Sequence, residues 1–297
     1  MPKFINSADD LITSHASTVE GFLKQALTKT GKATLYSEAA SRLHEVLQRV
    51  HDIETLDVIL DDERYRPGLI AAAGFSTKAT NHLTKEELDN AIKEVFSTLK
   101  DQLGEAFREE IVYRYLLTFG DTLGGSMRNW VGAQASLKLT GALVAALPPV
   151  EKAEITKNAT GKVQRIVWDY RILLFDVKTK LIGTSVDVIL LDASQSASLT
   201  KLITIPGAYL ACGELKGGID PAGSDEHWKT ARTALNRIQV QFDPYAHKPA
   251  QFFVGAAIVP RVAQEIYNDL QSGVLTHAAN LTVDEQVEDL AQWLVAL

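Results

Sequence analysis

Two apolar runs in the second half of the chain carry charged residues that a buried strand does not ordinarily hold. Asp187 sits within Val186-Asp187-Val188-Ile189-Leu190-Leu191, and Glu214 and Lys216 end the run Ala208-Tyr209-Leu210-Ala211-Cys212-Gly213-Glu214-Leu215-Lys216. Strand residues two apart share a face, so Glu214 and Lys216 project together and Leu215 points away. If the two strands are neighbours, Asp187 joins them on that face. Two carboxylates beside an ammonium suit phosphodiester hydrolysis. The carboxylates hold Mg²⁺, a hard cation that prefers oxygen ligands. The cation offsets charge on the phosphoryl oxygens and lowers the pKa of a bound water. The ammonium positions the attacking water and opposes the developing negative charge.

Glu-x-Lys alone is a weak signal, and a Glu–Lys pair on a solvated strand face is the plain alternative. The residues that follow sharpen it: Gly217-Gly218-Ile219-Asp220-Pro221-Ala222-Gly223-Ser224-Asp225-Glu226-His227-Trp228. Glycines and Asp-Pro put a loop directly after the strand, and Ser224-Asp225-Glu226 is expected to cap a helix starting near Ser224. His227 falls in its first turn. Ala231 and Ala234 are small residues on the same face. They let the helix lie close to a sheet and aim His227 at the strand end carrying Lys216. The plain alternative for His227 is a satisfied histidine near a helix start. Asp220, on its own, reads as the residue that caps the Pro221 turn.

The elements that must position these groups differ between the halves of the chain. Residues 7 to 110 read as helices. Ser7 to Asp10 looks like a cap leading into a run through Leu27, and a second run covers Ser37 to Val50. Thr84 and Glu87 form a capping box for a third. Residues 105 to 147 continue helical, with one break expected at the glycine-rich Gly120-Asp121-Thr122-Leu123-Gly124-Gly125, which places Arg128 near the next helix start. That stretch lacks the Gly-Lys-Ser/Thr ending of a phosphate loop. From residue 163 strands and helices alternate. The expected fold is α+β: a mixed sheet flanked by helices, with a large helical region before it. The expected domains are a helical region over 1–110 and a catalytic core over 111–297.

Composition bounds the possibilities. The 297 residues are 46% apolar, ample for a packed core. A net charge of −7 argues against a basic coat over the whole surface. It leaves room for a local basic site. Residues 157 to 180 hold such an excess, with Lys157, Lys162, Arg165, Arg171, Lys178 and Lys180 against Asp169 and Asp176. These serve either phosphates or a charged hairpin edge. Cys212, the one cysteine, excludes an internal disulfide. The sequence offers no secretory leader and no apolar run of membrane length, so a cytoplasmic protein without membrane contact is expected.

Asp187 with Glu214-x-Lys216 is the Asp…Glu-x-Lys pattern of restriction-enzyme-like nucleases. The segment GELKGGIDPAGSDEHWKTARTALNRI closely resembles the active-site segment of the AvaI/BsoBI family of type II restriction endonucleases. FGDTLGGSMRN over 119–129 is a second match, and Leu270 to Thr276, Ala279 to Thr282 and Glu285 to Val287 supply a third, in the family's order. The resemblance spans most of the chain. It implies a PD-(D/E)xK core with Asp187, Glu214, Lys216 and His227 in the reaction, and Mg²⁺ on Asp187, Glu214 and the Leu215 carbonyl. It implies DNA contacts from Lys78 and Asp220. Thr184 stands where the family has lysines near the metal-binding Asp, one of them at the DNA, and Arg128 faces either DNA or the catalytic strands. It further implies duplex DNA as substrate, a homodimer, and a cognate DNA methyltransferase that protects the host. The family cuts CYCGRG and leaves four-base 5′ overhangs. Here Gly183-Thr184-Ser185 and the brief 150–165 segment depart from the family's pattern, so the recognition sequence stays open. The rival readings are a catalytically silent DNA-binding relative, a repair or structure-specific nuclease, and an unrelated α/β enzyme.

Overall fold

The period-two segments of the second half assemble into one mixed sheet. The computed structural model describes residues 2–51, 53, 55–148, 153–159, 161–196 and 198–297. Among them the strands are β1 (Glu154–Lys157), β2 (Val163–Trp168), β3 (Arg171–Lys178), β4 (Ser185–Asp192), β5 (Tyr209–Lys216), β6 (Ala250–Gly255) and β7 (His277–Asn280). They lie in chain order across the sheet. Neighbours from β1 to β5 run antiparallel, and β5, β6 and β7 run parallel. The helices are α1 (His15–Leu47), α2 (Leu56–Leu60), α3 (Arg66–Ala72), α4 (Lys85–Leu103), α5 (Phe107–Ala146), α6 (Leu199–Leu202), α7 (Ser224–Phe242), α8 (Pro260–Gln271) and α9 (Asp284–Ala296). This is the expected α+β fold. No helix among the described residues is long and apolar enough to cross a membrane.

The chain forms two compact units: Met1–Leu23 with Asn129–Leu297, and Lys24–Arg128. The first holds the sheet, which is apolar on both faces. Ile189, Leu191 and Cys212 pack with Trp228, Ala231 and Leu235 of α7 and Ile266 of α8. On the other face Val188, Leu190 and Ala211 pack with Leu139 and Leu143 of α5 and Leu290 and Leu294 of α9. Parallel strands need crossover connections, which α7 and α8 provide. The second unit is helical, with Leu43, Leu47, Leu69, Ile92, Phe96 and Ile111 in its core. The expected boundary at residue 110 falls inside α5, and the compact units change over inside α1 and, further along, inside α5.

Three local expectations are corrected. The helix break at 120–125 is absent, because α5 runs unbroken from Phe107 to Ala146. Phe107, Ile111, Tyr115, Leu123 and Met127 recur at multiples of four and are all buried, which holds the helix together. Gly120 and Gly124 face open space, so each costs only its helix propensity, about 1 kcal/mol. Arg128 therefore lies inside a helix and not at its start. The two runs before residue 50 are one helix, α1. Its polar middle stays helical while Thr28, Thr30 and Thr34 donate to carbonyls four residues back. Finally, Ser224 does not cap α7: the N-cap is Gly223, and the Ser224 hydroxyl donates to the Ala257 carbonyl. The Thr84–Glu87 capping box is present at α4.

Candidate active site

Strand pairing brings the charged residues together. β4 and β5 pair antiparallel as far as Val188 opposite Gly213. One step further in that register sets Asp187 against Glu214. The ladder stops there, and the Leu215 N–H donates to Asp187 Oδ2 at 3.0 Å. The Lys216 ammonium lies between the carboxylates, 2.7 Å from Asp187 Oδ2 and 2.7 Å from Glu214 Oε2. Gly213, one residue before Glu214, points to the other face and packs against β6. A Cβ there would come within 2.3 Å of the Phe252 ring, the residue beside it on β6.

The charges are unevenly solvated. The Glu214 side chain is 4% exposed and that of Asp187 27%. Burial and the facing Asp187 carboxylate push the Glu214 pKa up to about 7, with Lys216 opposing them only in part. Burial works against the Lys216 ammonium, but Asp187 and Glu214 outweigh it and raise its pKa. One cation thus serves two carboxylates in a poorly hydrated place.

The loop after β5 carries the next two residues. Asp220 accepts a hydrogen bond from the Ala222 N–H at 2.9 Å and caps the short turn Pro221–Gly223. His227 packs against the glycines of this loop. A Cβ on Gly218 would lie 2.4 Å from His227 Cε1, and one on Gly223 3.5 Å from it. His227 Nδ1 is buried and has no hydrogen-bond partner among the described residues. Burial, then the Lys216 charge, lowers its pKa against the pull of Asp220 and Glu226. Thr184 lies half-buried just before β4, after Gly183 in its left-handed conformation (φ 79°). Lys78, on the turn Thr77–Asn81, and Arg128, within α5, are both exposed and belong to the Lys24–Arg128 unit.

Ser185, Asp187, Glu214 and Lys216 form the sheet side of a pocket of about 440 Å³. Its helix side comes from α7. Across the whole chain, residues 1–163 and 149–297 match the family model described as "Restriction endonuclease BsobI". The chain belongs to the BsoBI restriction endonuclease family. It is therefore an enzyme, a restriction endonuclease that hydrolyses DNA. "Type II restriction enzyme AvaI" of Nostoc sp. and of Anabaena variabilis are each 39% identical to it, covering 99% of this chain and 98% of the relative. "Type II restriction enzyme BsoBI" of Geobacillus stearothermophilus is 37% identical over 98% of this chain and 96% of the relative.

In this BsoBI-family chain the sequence reading missed the α7 wall of the pocket, formed by Glu226, Lys229, Thr230, Thr233, Ala234 and Arg237. The signal was present in the spacing. Positions 226, 230, 233 and 237 are separated by four, three and four residues, one stripe along a helix. Only the docking of the opposite stripe on the sheet shows where it points. Part of the basic excess in residues 157 to 180 is spent on pairs along the strands: Lys162 with Asp176, Arg165 with Glu154, and Arg171 with Asp192.

Proposed function

We propose that this chain is a type II site-specific deoxyribonuclease. It hydrolyses one phosphodiester in each strand of duplex DNA at a short palindromic or nearly palindromic sequence. The observation that carries this reading is the Lys216 ammonium, 2.7 Å from both the Asp187 and the Glu214 carboxylate at the end of paired strands. The relatives' names support it.

The residues fit Mg²⁺. Glu214 and Asp187 face each other with one shared ammonium, and the strain of that arrangement shows in the raised Glu214 pKa. A divalent cation relieves it. No three His, Cys, Asp or Glu side chains form a metal cluster among the described residues. Two carboxylates, the Leu215 carbonyl and water make the sparse oxygen set that Mg²⁺ accepts. When bound, the ion supplies positive charge for the phosphoryl oxygens and lowers the pKa of water. Lys216 orients the attacking water and offsets charge that builds on the phosphate. His227, neutral near pH 7 because its pKa is lowered, takes a proton as base or positions water.

Region 1–110 supplies DNA contacts and dimer wrapping, and 111–297 the catalytic core. Lys78 and Arg128 bring positive charge to DNA, and Thr184 a hydroxyl. Asp220 accepts from the cytosine N4 amino group. A two-fold site calls for a homodimer with two active sites. The enzyme works in the cytoplasm, where a cognate DNA methyltransferase protects the host. CYCGRG, cut to leave four-base 5′ overhangs, is the first sequence to test.

Unmodified plasmid incubated with the protein, with Mg²⁺ or with EDTA, tests this reading. Discrete fragments in Mg²⁺ alone are expected. Duplex binding without cleavage in Mg²⁺ or Mn²⁺ would overturn it in favour of a silent relative.

A further inference from the structure

The acidic pocket must admit a phosphate, which is an anion. Three carboxylates line it: Asp187, Glu214 and Glu226. Lys216 is already held between two of them. The remaining cations lining the pocket are Lys229 and Arg237, both on α7 and both exposed. Neither makes an ion pair or a side-chain hydrogen bond among the described residues. Their neighbour Arg232 shows the contrast. It leans the other way and is held by Glu265 at 3.7 Å and Asp269 at 3.1 Å. One helix therefore spends its outer arginine on structure and leaves two cations free where the chemistry is. Between them Thr233 and Ala234 keep the wall low, and the Thr233 hydroxyl is turned back onto the Lys229 carbonyl at 2.8 Å.

We propose that Lys229 and Arg237 grip backbone phosphates of the strand being cut, beside the scissile one. This rests on the nuclease reading of the site. Eight residues of helix separate the two by about 12 Å along the axis. Successive charges on one DNA strand advance by about 3.4 Å along the duplex. The two cations therefore meet different phosphates and fix the strand's direction across the site, while Lys216 is left to the reacting group. They carry no base information, so their loss weakens all sequences alike.

The test is binding of a short duplex carrying CTCGGG, and of one lacking it, in Ca²⁺ across a salt series. The proteins are wild type, Lys229→Ala, Arg237→Ala, the charge-keeping Lys229→Arg and Arg237→Lys, and Lys201→Ala as an exposed-lysine control. Each pocket alanine is expected to weaken both duplexes roughly five- to thirtyfold and to lower the salt slope by about one. The charge-keeping variants recover the slope, and Lys201→Ala matches wild type. Unchanged slopes in Lys229→Ala and Arg237→Ala, with wild type bound, would overturn the grip. So would equal loss in the control. The same preparations are assayed for cleavage in Mg²⁺. Wild-type cleavage with unchanged slopes defeats the grip alone. Lowered slopes without wild-type cleavage defeat the nuclease reading and leave the grip standing as a DNA contact. A wild type that binds neither duplex defeats both.

Discussion

Glu214 is nearly buried, faces a second carboxylate and holds its proton up to about pH 7, against an ordinary value of 4.5. Between those values the folded protein binds more protons than the unfolded chain. Stability therefore falls as pH rises across that window. Glu214→Gln removes the cost of ionising the group. In EDTA the variant is expected to melt above wild type at pH 8, by an amount on the order of 1 kcal/mol or more, with the gap closing at pH 5. Thermal melting at the two pH values measures it, and a gap independent of pH would contradict the account. Mg²⁺ should raise the melting temperature of wild type and not of the variant. His227 gives the second residue-scale test. Its lowered pKa makes it a base that loses function only as pH falls below the ordinary 6.5. If it takes a proton, His227→Gln lowers the cleavage rate and removes that acid limb. A profile of unchanged shape leaves His227 only the positioning of water. Gly218→Ala, which forces the ring aside, should mimic His227→Gln and add little to it. Asp187, Glu214 and Lys216 were readable from the sequence because their logic is local: an acid inside an apolar strand, and a period of two.

At the scale of elements, two glycines are expected to respond in opposite ways. Gly213 lies where β5 meets the Phe252 ring, with no room for a methyl group. Gly213→Ala should cost about 1–3 kcal/mol through forced displacement in a packed core. Gly120 lies on the open side of α5, with nothing within 4 Å of a Cβ. Gly120→Ala should stabilise by up to about 1 kcal/mol. Urea unfolding of both variants checks the pair. A destabilising Gly120→Ala would speak for the helix break expected from the sequence. That expectation failed for a physical reason. Glycine clusters weaken a helix locally, but the buried positions at multiples of four outweigh them, and burial is a tertiary property. The Lys229–Arg237 wall stayed hidden for the same reason. A helical stripe of polar residues shows no direction until the apolar stripe of Trp228, Ala231 and Leu235 is seen docked on the sheet.

At the scale of the whole molecule, a net charge of −7 keeps the protein from coating DNA indiscriminately. Binding must come from a few placed cations, so affinity is expected to fall only modestly with salt, by a slope of about 0.9 for each phosphate contact. A two-fold recognition sequence also demands a two-fold enzyme. Sedimentation should give twice the chain mass at micromolar concentration, and a monomer at that concentration would count against paired cleavage of the two strands. The most direct test of the central claim is a digest of unmodified plasmid in Mg²⁺ by wild type and by Glu214→Ala, with run-off sequencing of the ends. The account predicts discrete fragments with one defined end sequence from wild type and intact plasmid from the variant. Equal cleavage by both proteins would contradict it, because the chemistry would then lie somewhere other than Asp187, Glu214 and Lys216.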